Sequence, residues 1–137
     1  MVNPITRQRL RRIAFRLRLK LEKDKSLEKN MWGACGIASI LLSKRLSRMD
    51  IPHQIAYSGD HAFVLTHNGY IVDVTATQFD GPRTVVRKSS LGRQWSVNET
   101  FDTWQEFEIE NSTWTPNSQY QRYIENRLKY RPQASDK

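Results

Sequence analysis

Two short runs of strand-forming residues, His61–Thr66 and Tyr70–Thr75, flank Asn68-Gly69. That dipeptide between apolar runs is the strongest short-range signal for an antiparallel hairpin. Gln54–Tyr57 reads as a third strand and Thr84–Arg87 as a short fourth, so a locally connected sheet is the expected centre of the fold. The turn also decides which side chains share a face, because a slip in register turns a strand over. A two-residue loop, Asn68-Gly69, pairs His67 with Tyr70 and Val64 with Asp73. His61 and Asp73 then lie on opposite faces. A three-residue loop, His67-Asn68-Gly69, with Gly69 in the left-handed conformation of a bulge, pairs Thr66 with Tyr70 instead. Phe63 then opposes Asp73, and His61 lies diagonally next to Asp73 on one face.

Helical periodicity frames this sheet. Leu10, Ile13, Ala14, Leu17 and Leu21 follow the spacing of one helical face, and predict a helix from about Thr6 to Lys23. Arg9, Arg11, Arg12, Arg16, Arg18 and Lys20 occupy much of the rest, so this helix should dock its apolar stripe and solvate a basic face. Lys25 to Gly33 reads as a polar loop. From Cys35 the pattern Ile37, Ile40, Leu41, Leu46 is that of a buried helix ending near Met49, before Ile51-Pro52. Ser89 to Thr100 is loop-like, Phe101–Ile109 a short helix, and Gln119–Tyr130 a final helix.

The chain has 137 residues, enough for one domain with a core of its own. We divide it into a basic helix and loop (1–30), a core that carries the chemistry (31–87) and a C-terminal part with a helix (88–137). A single Cys excludes an intrachain disulfide, and a reducing, cytoplasmic setting is expected. No apolar run approaches a membrane span, and the N-terminus lacks the apolar stretch of a secretory signal. The net charge of +8 is uneven: residues 1–30 hold ten Lys/Arg against three Asp/Glu, while the rest is nearly balanced. That block favours nonspecific contact with polyanions. It lacks the interleaved aromatics of a dedicated nucleic-acid arm.

The candidate chemistry lies in Trp32-Gly33-Ala34-Cys35-Gly36, where a loop gives way to a helix, and in the hairpin's His61 and Asp73. A thiol at a helix start meets partial positive charge and free N–H groups, which favour the thiolate. A free Cys is more often a small buried hydrophobe. Against that, Gly33, Ala34 and Gly36 leave room for a substrate, and a His and an Asp follow on separate elements. A carboxylate inside the apolar run Ile71-Val72-Asp73-Val74 is costly unless paired, and His61 is its natural partner. Cys, His and Asp in this arrangement are the nucleophile, base and orienter of cysteine acyl-transfer enzymes. Such a triad requires the bulged turn. His53 follows a Pro at a strand start and His67 sits at the turn, so both are weaker candidates. The lone Cys and scattered His offer no metal-ligand spacing, and no cofactor is expected.

These residues resemble the papain-like superfamily in its transglutaminase-like branch. His61-Ala62-Phe63-Val64-Leu65, Asn68-Gly69 and Val72-Asp73-Val74-Thr75-Ala76-Thr77-Gln78-Phe79 look like small bacterial and phage proteins of that branch, which carry an Asp-(Leu/Val)-Thr-x-x-Gln-Phe motif. The resemblance covers roughly Trp32 to Phe79. It implies an α+β fold: a Cys-bearing helix packed on an antiparallel sheet of three to five strands, with flanking helices. It also implies a thiol enzyme acting on amide bonds of a protein or peptide: a protease or isopeptidase, or a glutamine deamidase or transglutaminase. Papain-type enzymes carry a Gln several residues before the Cys; here Lys29 and Asn30 stand in that region. Asn30, Trp32 and the Cys35 backbone N–H are then the oxyanion candidates, with Gln78 as a further oxyanion or substrate-binding candidate. The competing expectation is an inactive relative that binds nucleic acid or an acidic protein.

Overall fold

The structure is a computed structural model that describes residues 5–25, 27, 29, 31, 34–59, 61–88 and 93–114, the side chains of 93 and 111–114 excepted. The predicted final helix, Gln119–Tyr130, lies outside these residues. The described chain is α+β, with helices α1 (Arg7–Glu22), α2 (Cys35–Arg48) and α3 (Trp104–Trp114). The strands are β1 (His53–Tyr57), β2 (Ala62–Thr66), β3 (Ile71–Asp73), β4 (Val85–Arg87) and β5 (Glu99–Phe101). They form one antiparallel sheet in the order β4-β3-β2-β1-β5.

The sequence places Glu99 and Thr100 in a loop and starts a helix at Phe101, whereas all three residues form β5 and α3 begins at Trp104. Three residues carry no readable alternation. What makes β5 a strand is the free edge of β1, whose Ile55, Ala56 and Tyr57 pair with Phe101, Thr100 and Glu99.

The hairpin uses the bulged turn. Val64 pairs with Val72 and Leu65 with Ile71, the Thr66 N–H donates to the Tyr70 carbonyl at 2.9 Å, and Gly69 has φ 95°. The Thr66 side chain reinforces it. Its oxygen accepts the Tyr70 N–H at 3.0 Å, and its O–H donates to Asn68 Oδ1 at 2.7 Å. This register sorts the sheet. Ile55, Val64, Val72 and Val86 form a cross-strand row in the main core with the helices. Ala56, Phe63 and Val85 belong to a second apolar cluster with Ile71, Ala76 and Trp95. Asp73 pairs with Val85 and so has the parity of this second row.

Helix α1 begins where Thr6 caps it, the side-chain oxygen accepting the Arg9 N–H at 3.1 Å. Its stripe of Leu10, Ile13, Ala14, Leu17 and Leu21 is buried, and the helix contacts α2, β3 and β4. Arg18 departs from the expected solvated face: it is only 3% exposed. Its guanidinium donates to the Val74 carbonyl at 2.9 Å and to Thr77 Oγ1 at 3.0 Å, and pairs with Glu22 at 2.8 Å. Buried guanidinium is tolerated because these acceptors take up its donors. Helix α2 ends in a Schellman motif. Asp50 adopts φ 56°, its N–H bonds the Ser47 carbonyl, and the Ile51 N–H bonds the Leu46 carbonyl.

Helix α1 is therefore part of the core. Four large side chains leave it on deletion of residues 1–23, a loss of about 6–12 kcal/mol at roughly 1.5–3 kcal/mol each, comparable to the whole stability of a domain. The truncated chain should aggregate or lose its near-ultraviolet circular dichroism. A soluble monomer with native amide dispersion would show that α1 is an independent arm.

Candidate functional site

Three local features bring the candidate residues together. Cys35 is the first residue of α2 and is partly exposed. His61 immediately precedes β2 and is fully buried, at 0% exposure. Asp73 ends β3 and is 2% exposed. His61 Nε2 lies 2.7 Å from Asp73 Oδ2, and the Cys35 side chain lies close enough to the same imidazole to raise its pKa. With Nε2 committed to the carboxylate, Nδ1 is the ring nitrogen left for the thiol.

Asp73 accepts four hydrogen bonds. Oδ2 takes His61 Nε2–H and, at 2.9 Å, the indole Nε1–H of Trp95. Oδ1 takes the Thr75 N–H at 2.8 Å and the Thr75 O–H at 3.1 Å. The Asp-x-Thr spacing permits this local turn, because a short carboxylate reaches the N–H two residues on. Gln78, in the 3-10 turn Ala76–Phe79, donates Nε2–H to Thr75 Oγ1 at 3.1 Å, and its Nε2 stands 3.3 Å from His61 Nδ1. Asp73, Thr75, Gln78 and His61 thus form a closed circuit. Phe79 stands edge-on to the imidazole, ring centroids 4.8 Å apart, and Phe63 lies 6.1 Å away at 26°.

Burial opposes charge on both partners, and the hydrogen bonds overcome it. Desolvation pushes His61 down, but the bonds to Asp73 and Cys35 and the charges of both raise it from 6.5 to about 9. Desolvation likewise pushes Asp73 up, and the His61 bond and charge, with Thr75 and Trp95, hold it below the usual 3.8. The pair is an ion pair at neutral pH.

Of the residues singled out from sequence, Cys35, His61 and Asp73 are brought together, with Gln78 beside them. Asn30 and Trp32 lie outside the described residues. His53 is used elsewhere: its Nδ1 lies 2.7 Å from the Ile51 carbonyl and its Nε2 2.6 Å from Ser43 Oγ. Sequence reasoning missed Thr75 and Trp95 as partners of Asp73. The Asp-x-Thr turn was a readable signal for Thr75. Trp95 had none, being an aromatic residue in a loop-like stretch far along the chain. Among the described residues no group of three or more His, Cys, Asp or Glu side chains is arranged to hold a metal ion. No helix among them is long and apolar enough to cross a membrane.

The pair makes folding depend on pH in two windows. His61 is raised, so its contribution is complete below pH 6.5 and is lost as pH rises through about 9. Asp73 is lowered, so its contribution is complete above 3.8 and is lost as pH falls through its folded value. The urea midpoint should therefore be highest between those limits, and fall between pH 6.5 and about 9. A midpoint that stays level across that alkaline window would show that the buried pair is not charged.

Comparison of the chain with family models, with curated proteins and with solved structures gave no match.

Proposed function

We propose that this protein is a cysteine-dependent acyl-transfer enzyme of papain-like, transglutaminase-like type, acting on amide bonds through Cys35, His61 and Asp73. The observation that carries this reading is the buried 2.7 Å His61–Asp73 bond, with a partly exposed thiol at a helix start close enough to act on the same imidazole. A carboxylate that only needed neutralising has no use for a thiol beside its partner ring. Nucleophile, base and orienter do.

The steps follow from which atoms are free. Cys35 Sγ attacks the carbonyl carbon as the thiolate, its proton held on His61 Nδ1 in the imidazolium. Asp73 holds Nε2–H and stabilises that imidazolium. Collapse of the tetrahedral intermediate breaks the C–N bond, and Nδ1–H protonates the departing amine. Water or a second amine then attacks the thioester and returns the proton to Cys35. The carbonyl oxygen needs donors as it becomes an oxyanion. Cys35 N–H, in the first turn of α2, has no acceptor within the helix, and the Gln78 amide lies beside Nδ1. The substrate is a protein or peptide amide, and water or amine as acceptor separates peptidase or deamidase from transamidase. A thiol of this kind works in a reducing compartment such as the cytoplasm.

The basic face of α1 favours a second reading, in which the fold binds a polyanion or an acidic protein without catalysis. Arg9, Arg11, Arg12, Arg16 and Lys20 are all exposed there.

Iodoacetamide distinguishes the two. At neutral pH, Cys35 should be alkylated about tenfold faster than a model thiol, and His61→Ala should abolish that advantage. Cys35→Ala should stay folded and take up no label. Alkylation at the model rate, or only after denaturant is added, overturns the enzyme reading.

Asp73→Asn should slow the alkylation as well. It should also cost roughly 1–3 kcal/mol of stability, because an amide group then faces donors that had a carboxylate to bond. A variant with unchanged alkylation and stability would remove Asp73 from the site.

A further inference from the structure

Trp95 is 7% exposed and belongs to the apolar cluster of Ala56, Phe63, Ile71, Ala76 and Val85. Packing accounts for its ring but not for its polar atom. An indole N–H only donates, and when buried it needs an acceptor. It points at Asp73 Oδ2, the same oxygen that accepts His61 Nε2–H. With both Thr75 donors on Oδ1, each carboxylate oxygen is held from its own side, so rotation that exchanged them would break all four bonds.

We propose that Trp95 is a positioning residue for the candidate triad, its indole N–H fixing Asp73 Oδ2 against His61 and sharing the negative charge that the imidazole sees. The catalytic meaning of this proposal rests on the acyl-transfer reading above; the coupling itself does not. A carboxylate with one donor fewer on Oδ2 concentrates its charge on the bond to His61. The imidazolium is then held more tightly. In the proposed reaction it is slower to release its proton to the leaving amine, since a general acid works best with its titration near the working pH. Trp95 tempers the pair while keeping it aligned.

The test uses the full chain with nitrogen-15-labelled histidine and tryptophan. In the wild type, the Trp95 indole N–H resonance should titrate with the midpoint of the His61 ring nitrogens, because both protons share one oxygen. In Trp95→Phe, which keeps an aromatic ring and removes the donor, the His61 midpoint should rise by roughly half a pH unit or more. Trp104→Phe, which removes the indole N–H of the α3 ring that packs against Lys44, should leave that midpoint unmoved. A wild-type indole resonance indifferent to His61 titration overturns the proposal, and does so whether or not the variant folds. So does a folded Trp95→Phe protein whose His61 midpoint is unchanged or lowered. Slow alkylation of Cys35 together with intact Trp95–His61 coupling would overturn the enzyme reading alone.

Discussion

A charged hydrogen bond buried from solvent governs this structure. His61 and Asp73 are both removed from solvent, and an isolated carboxylate or imidazolium in that position would cost several kcal/mol. Each partner makes the other tolerable, and the remaining lone pairs of Asp73 are taken by Thr75 and Trp95. This is the condition under which a buried ion pair is sustained, and breaking it from one side leaves an uncompensated charge. The Asp-x-Thr turn and the seat of Trp95 meet on this carboxylate, and the 3-10 turn that carries Gln78 meets its partner His61.

The sheet register follows from the same demand. With the bulged turn, Val64 and Val72 share the helix-facing row and Asp73 takes the opposite parity. The two-residue loop would have opposed Val64 to Asp73 and parted the carboxylate from His61. Hydrophobic burial and ionic pairing therefore select the same register, and Gly69 makes it accessible by adopting positive φ. Agreement between independent terms is what gives a strand pair a single alignment.

The basic helix α1 serves this arrangement from a distance. Arg18 reaches over the residues that follow Asp73, bonding Val74 and Thr77, while Glu22 holds both Arg18 and Arg83. Arg83 is exposed, so its pairing with Glu22 adds little to stability. The buried Arg18 contacts fix the start of the 3-10 turn that ends beside His61. A helix whose composition advertises polyanion binding thus also braces the candidate site.

Much of this was legible in the sequence because it depends on short-range physics. Period-3.6 apolar spacing fixed α1 to within a residue at each end, and Asn68-Gly69 announced the hairpin. The cost of a carboxylate in an apolar strand pointed to His61 as the partner of Asp73. Strand β5 was not legible, since three residues become a strand only when the edge of β1 is there to receive them. Arg18 was not either: periodicity places it off the apolar stripe, and only the carbonyls of a loop more than fifty residues away explain its burial. Trp95 lies further still from any local pattern. The sequence by itself thus determined α1, α2, the hairpin strands, the place of their turn and the identity of the triad candidates, because those follow from neighbours along the chain. The tertiary structure alone decided between the two registers and which donors complete Asp73, because burial is a property of what the whole chain encloses.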